Sequence, residues 1–167
     1  WITNVYEGSG TLLDVLLTIK NRNRIGFKNI STGKYPLDRG TGNYINTLLD
    51  KFVITQQQNT LYQIEHNIKT TVHPLEDLKD RDLGHAEIRW LYNVFLQSIC
   101  RYLQTKEELS ALDDTFYYAR DSLLHYADWM LENEYPYLEK PAILEFPNHT
   151  WTAQDIRKVN ILLFASY

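Results

Sequence analysis

A single cysteine, Cys100, excludes an intrachain disulfide and leaves no thiol pair for a zinc site. It reads as a small apolar group packed within a helix, where free cysteines commonly sit. No run of about 18 apolar residues occurs, so no segment has the length of a membrane-spanning helix. No Lys/Arg run occurs either, and the net charge is −4. A nucleic-acid platform needs clustered positive charge, so none is expected. The opening residues, Trp1-Ile2-Thr3-Asn4, lack the pattern of a signal peptide. Arg39-Gly40-Thr41-Gly42 is too poor in glycine for a phosphate loop and lacks its lysine. No cofactor is called for.

What is present is a chain of 167 residues, enough for one domain with a real core. Apolar residues make up 44%, an ordinary globular share, while aromatics reach 13%, including 12 Tyr and 4 Trp. Apolar spacing of three and four predicts six helices, over about 10–20, 43–55, 59–71, 85–104, 110–133 and from 152 onward. Thr41 is the expected cap of the second, Ser110 with Asp113 that of the fifth, and Thr152 with Asp155 that of the last. The 85–104 segment carries Ile88, Leu91, Phe95, Ile99 and Tyr102 on one stripe and is apolar nearly all round, which places it inside. No β pattern competes strongly; Ile143-Leu144-Glu145-Phe146 is at most a short extended piece. The chain stops in an apolar helix, Ile161–Tyr167, without a terminator, so a piece of a larger protein is expected, with the remainder of a longer chain as partner.

The connections alternate in length. Long polar stretches fill 21–42, 72–84 and 134–151, while short turns fill 56–58 and 105–110. If neighbouring helices run antiparallel, all three long loops open at one end. A rigid scaffold with loops gathered at one end holds its function there.

The 72–84 loop and the turn after it hold the densest ionisable cluster: His73, Glu76, Asp77, Asp80, Arg81, Asp82, His85, Glu87 and Arg89. The plain reading is solvated charge with Asp82 as a cap and Glu87 on the helix dipole. The chemical reading is a general acid or base. The 134–151 loop interleaves Tyr135, Tyr137, Phe146 and Trp151 with Glu134, Glu145, Asn148 and His149. An aromatic face stacks on the apolar face of a pyranose, and amides and carboxylates bind its hydroxyls. Trp151, beside a helix start, also reads as a packing plug. Asp113-Asp114 with Asp121 lacks a third close acid and reads as a helix start. His66 and His125 lie inside helices without paired ligands, so no metal site is expected. Asn29-Ile30-Ser31 and Asn148-His149-Thr150 fit the glycosylation triplet, which matters only in a secreted chain.

Over roughly 40–167, the aromatic hairpins and one-sided loops resemble part of the six-hairpin α/α toroid of glycoside hydrolases and polysaccharide lyases. The resemblance is architectural and carries no diagnostic motif. It implies an all-α domain that binds, and in an enzyme cleaves, a polysaccharide or oligosaccharide. Hydrolysis needs two carboxyls, for which Asp82 and Glu145 are the candidates, with His85 and Asp155 as substitutes. Elimination needs a base and a cation for the uronate, for which His85, Arg81 and Arg89 are available. Trp151, Tyr137, Asn148 and His149 would line the cleft. The competing expectation is a non-catalytic helical scaffold for protein interaction, presenting Tyr117, Tyr118 and Trp129.

Overall fold

The computed structural model describes residues 35–167. The expected helix at 10–20 and most of the 21–42 loop lie outside them. The described chain is all-helical, with no strand among the described residues. Its helices are α1 (Arg39–Thr55), α2 (Gln58–Thr71), the single turn α3 (Ala86–Arg89), α4 (Tyr92–Glu108), α5 (Asp114–Asn133) and α6 (Thr150–Ala165). Short 3-10 turns at Leu78–Arg81, Tyr137–Glu139 and Pro141–Ile143 punctuate the two long loops. No described helix is long and apolar enough to cross a membrane.

The winding is strictly up and down. Gly42 near the start of α1 lies against Phe95 near the start of α4. Arg157 of α6 donates to Gln97 of α4 at 2.7 Å. Thus α1, α4 and α6 run parallel, with α4 packed between the other two. The returning helices α2 and α5 run the opposite way and pack on each other. Phe95, Leu96, Ile99 and Tyr102 of α4 are fully buried in the main core, beside Leu48, Ile64 and Tyr126 from three other helices. A second, smaller cluster of Ala86, Tyr137, Leu144 and Trp151 joins the 72–91 connection to the 134–149 loop.

Several boundaries differ from the sequence expectation for identifiable reasons. Asp38, not Thr41, caps α1: its carboxylate accepts the Thr41 N–H at 3.0 Å. Gly40 and Gly42 read as breakers, yet both lie inside the helix. A Cβ on Gly42 would sit 2.9 Å from the Phe95 Cα, so this glycine serves close helix approach rather than a turn. The 85–104 helix is interrupted. Asn93 and Val94 N–H groups bond three residues back, to Trp90 and Leu91, so the ladder restarts at Tyr92. The break turns Ile88 outward, 55% exposed, off the stripe it was assigned to. Ser110 ends α4 in the left-handed region, and Asp113 alone caps α5 through the Thr115 and Phe116 N–H groups. In the 143–146 piece, Ile143 ends a 3-10 turn, Leu144 is extended, and Glu145-Phe146 bend. On α6, Trp151, Lys158 and Ile161 are buried, whereas Ile156, Val159 and Leu163 face outward.

Candidate functional site

The end where α1, α4 and α6 begin carries the long connections that the structure describes. The 72–91 connection is pinned from inside. Arg81, 4% exposed, donates through Nε to Glu76 Oε2 at 2.7 Å and through Nη2 to the Thr71 carbonyl at 2.7 Å. The other Glu76 oxygen accepts from the Tyr126 hydroxyl at 2.7 Å and the His73 N–H at 3.0 Å. His125 Nε2 meets the Glu76 carbonyl at 2.8 Å. Burial pushes the Tyr126 hydroxyl well above its ordinary range, and Arg81 pulls against that, so Tyr126 stays a proton donor to Glu76. Arg81 is therefore a loop anchor, committed to its own chain.

The 134–149 loop has its own anchor. Lys158 of α6 is buried and donates to Glu134 at 2.9 Å and to the Tyr135 carbonyl at 2.7 Å. It also pairs with Asp155 at 2.9 Å and lies 3.4 Å from the Tyr137 ring centre. The Tyr92 hydroxyl closes the group on Glu134 at 2.6 Å; burial, then the Glu134 charge, raise its pKa well above normal. Asp155 is no helix cap: its two oxygens take the Tyr137 N–H at 3.2 and 3.3 Å. Tyr137, 2% exposed, receives Asn93 Nδ2 on its hydroxyl at 3.1 Å. Asp155 and Tyr137 hold the loop, and neither presents a free group to a cleft.

The two connections touch. The Glu145 N–H donates to Glu87 Oε2 at 3.0 Å. Trp90 and Trp151 meet edge to face at 6.3 Å, and Trp151 meets Tyr137 at 5.2 Å. Trp151, 8% exposed, donates its indole N–H to the Phe146 carbonyl at 3.1 Å. It is mainly a plug, with one edge left at the surface. Over it opens a shallow cleft of about 200 Å³, lined by Glu87, Trp90, Phe146, Asn148, Trp151 and Gln154 among others. Asn148 Oδ1 accepts the Thr150 N–H at 2.9 Å and hydroxyl at 2.6 Å, which starts α6 two residues before the expected Thr152. Phe146 is 68% exposed and offers a ring to solvent.

Of the remaining sequence candidates, Asp82, His85, Glu145, His149 and Arg89 are not among the residues lining this cleft. Asp82 is exposed, in the left-handed region at φ 52°, and closes the 3-10 turn as its C-terminal cap rather than opening a helix. His85 precedes α3 without a side-chain capping bond and is exposed. Glu145 and His149 are exposed on the opposite loop. Arg89 is half-buried, its Nε without a protein partner among the described residues. Asn148 and Trp151 line the cleft as expected. Phe146, from the aromatic loop expected to meet a sugar, and Gln154 line it too, as do Glu87 and Trp90, which were not assigned to it. Glu87 read as a dipole partner and Trp90 as core, because an unbroken helix would have carried Trp90 inside.

The face of α5 offered to a protein partner is largely occupied. The Tyr118 hydroxyl donates to the Val72 carbonyl at 2.8 Å, and Trp129 packs edge-on against Tyr92 at 6.4 Å. Tyr117 alone is well exposed, beneath Arg120. Cys100 lies half-buried at the core edge, where burial pushes its thiol up to about 12. His66 is exposed, and no cluster of three metal-ligating side chains exists among the described residues. Comparison with protein-family models, with curated proteins and with solved structures finds no match to this chain.

Proposed function

We propose that this is a carbohydrate-binding domain, an arc of an α/α toroid whose loop end takes one ring of a polysaccharide or oligosaccharide. The single observation that carries the reading is the cleft over Trp151. It combines the largely exposed Phe146 ring, two tryptophans, and amide and carboxylate groups around a space of about 200 Å³. Drug-sized pockets run to about 300–1,000 Å³, so this space suits one sugar ring of a longer chain. The toroid reading draws on the parallel set α1, α4 and α6 and the returning pair α2 and α5.

Binding is favoured over cleavage. Hydrolysis needs two carboxyls across the bond, and Glu87 is the one carboxylate in the cleft lining. The test is isothermal titration with a panel of oligosaccharides against the wild type and Phe146→Ala. The reading expects binding by at least one oligosaccharide, weakened about tenfold by the substitution. Absence of binding across the panel overturns it. Turnover lost in both Asp82→Ala and Glu145→Ala would restore the hydrolase pair.

A second reading, a helical scaffold for protein interaction, is favoured by one observation: Ile156, Val159 and Leu163 form an exposed apolar stripe along α6. It uses a different face, so Val159→Glu separates the two. Loss of sugar binding in that variant would count against the cleft.

A further inference from the structure

We infer that the cleft selects sugars carrying a protonated amine over neutral sugars, and both over uronates. This rests on the carbohydrate reading above and names its ligand class. Glu87 supplies the one formal charge lining the cleft among the described residues. Its Oε2 is engaged by the Glu145 N–H, while Oε1 has no protein donor among the described residues. The carboxylate is thus positioned by one oxygen and open at the other. Trp90 lies three residues on, in the same turn region, and Phe146 comes from the facing loop. Aromatic faces attract ammonium groups electrostatically, and a neighbouring carboxylate adds a charge-assisted hydrogen bond. An amine carried on a pyranose would meet both, while the ring itself stacks.

The opposite selectivity lacks its cation. No Lys, Arg or His lines the cleft among the described residues. Arg81 is buried against Glu76 and the Thr71 carbonyl, and Arg157, behind Gln154, is engaged by the Gln154 and Gln97 side-chain oxygens.

The experiment measures affinity for three oligosaccharides of equal length: a glucosamine oligomer, a neutral glucan and a uronan. Each is titrated at low and high salt into the wild type and Glu87→Gln, whose amide oxygen can still accept the Glu145 N–H. The expected result is amino-sugar binding about tenfold tighter than neutral binding, with the gap narrowing in high salt and in Glu87→Gln. Equal amino and neutral affinities, unmoved by salt, overturn the inference and leave the sugar reading standing. Tighter uronan binding overturns it too. No binding by any of the three overturns the sugar reading beneath it. The salt series on the wild type decides the matter even where Glu87→Gln folds poorly.

Discussion

At the short-turn end Lys106 reaches Glu65 at 3.1 Å and Asp113 at 2.6 Å; at the loop end Lys158 reaches Glu134 and Asp155, both at 2.9 Å. Both lysines are buried, and both lie near a tyrosine ring. The turn-end group closes around Glu65 and leaves Asp113 half-exposed. The Tyr102 and Thr115 hydroxyls close on Glu65 at 3.2 and 3.0 Å, and the Asp113 carboxylate caps α5. The loop-end group has the same chemistry, and its Tyr137 packs on Trp151, which lines the cleft. The comparison teaches that a dense ionic cluster marks a fastening; the two ends differ in that a cleft adjoins one of the fastenings.

The sharpest way to break this comparison is to remove a buried cation. Lys106→Ala leaves Glu65 buried beside a half-exposed Asp113. We expect a loss of about 3 kcal/mol in urea unfolding, since a lone buried charge is costly. Lys158→Ala should cost a similar amount and also weaken sugar binding, whereas Lys106→Ala should leave binding by the folded fraction intact. Equal effects on binding would erase the distinction between the ends.

Gly42→Ala comes next. Its new methyl meets the Phe95 and Val94 backbone at 2.9 Å, which no rotamer change relieves. About 2 kcal/mol of destabilisation is expected by thermal melting. A neutral result would mean that α1 and α4 do not approach closely at that point.

Acid should strain the turn end through Asp113. Burial pulls its carboxyl upward, but the Lys106, Thr115 and Phe116 hydrogen bonds outweigh that and hold it well below the ordinary range. A depressed carboxyl contributes stability above its unfolded value of about 4, and that contribution drains away as pH falls below it. Because the carboxylate is half-exposed, about 1 kcal/mol is expected between pH 7 and pH 3. Unfolding at both pH values should show this slope reduced in Asp113→Asn. An unchanged slope would detach Asp113 from the network.

The smallest effect on stability should come from the cleft. Phe146→Ala removes a largely exposed ring, so its unfolding free energy should move by less than about 0.5 kcal/mol while affinity for sugar falls. A large stability loss would reassign Phe146 to packing.

Helix periodicity and loop length carried most of the fold. The α2 and α5 stripes, the antiparallel winding and the shared loop end all follow from apolar spacing and breakers read locally. The misses have local causes that become visible only in three dimensions. Gly42 read as a turn because its partner, the Phe95 backbone, is distant in sequence. The break at Trp90-Leu91 carries no proline or glycine, so the apolar spacing places Ile88 on a buried stripe that it leaves. At the proposed site, residue types pointed to two loops that do touch, but not to each side chain's engagement. Arg81, Asp155 and Tyr137 looked available and are internal fastenings, while Glu87 looked like a dipole partner and lies in the cleft.

The most direct measurement is amide, indole and side-chain chemical-shift mapping by NMR while an oligosaccharide is titrated in. The account predicts that the Trp90 and Trp151 indoles and the Asn148 and Gln154 side-chain amides move together, with the Thr115 and Phe116 amides still. Saturable shifts centred on Thr115, or none around Trp151, would contradict it.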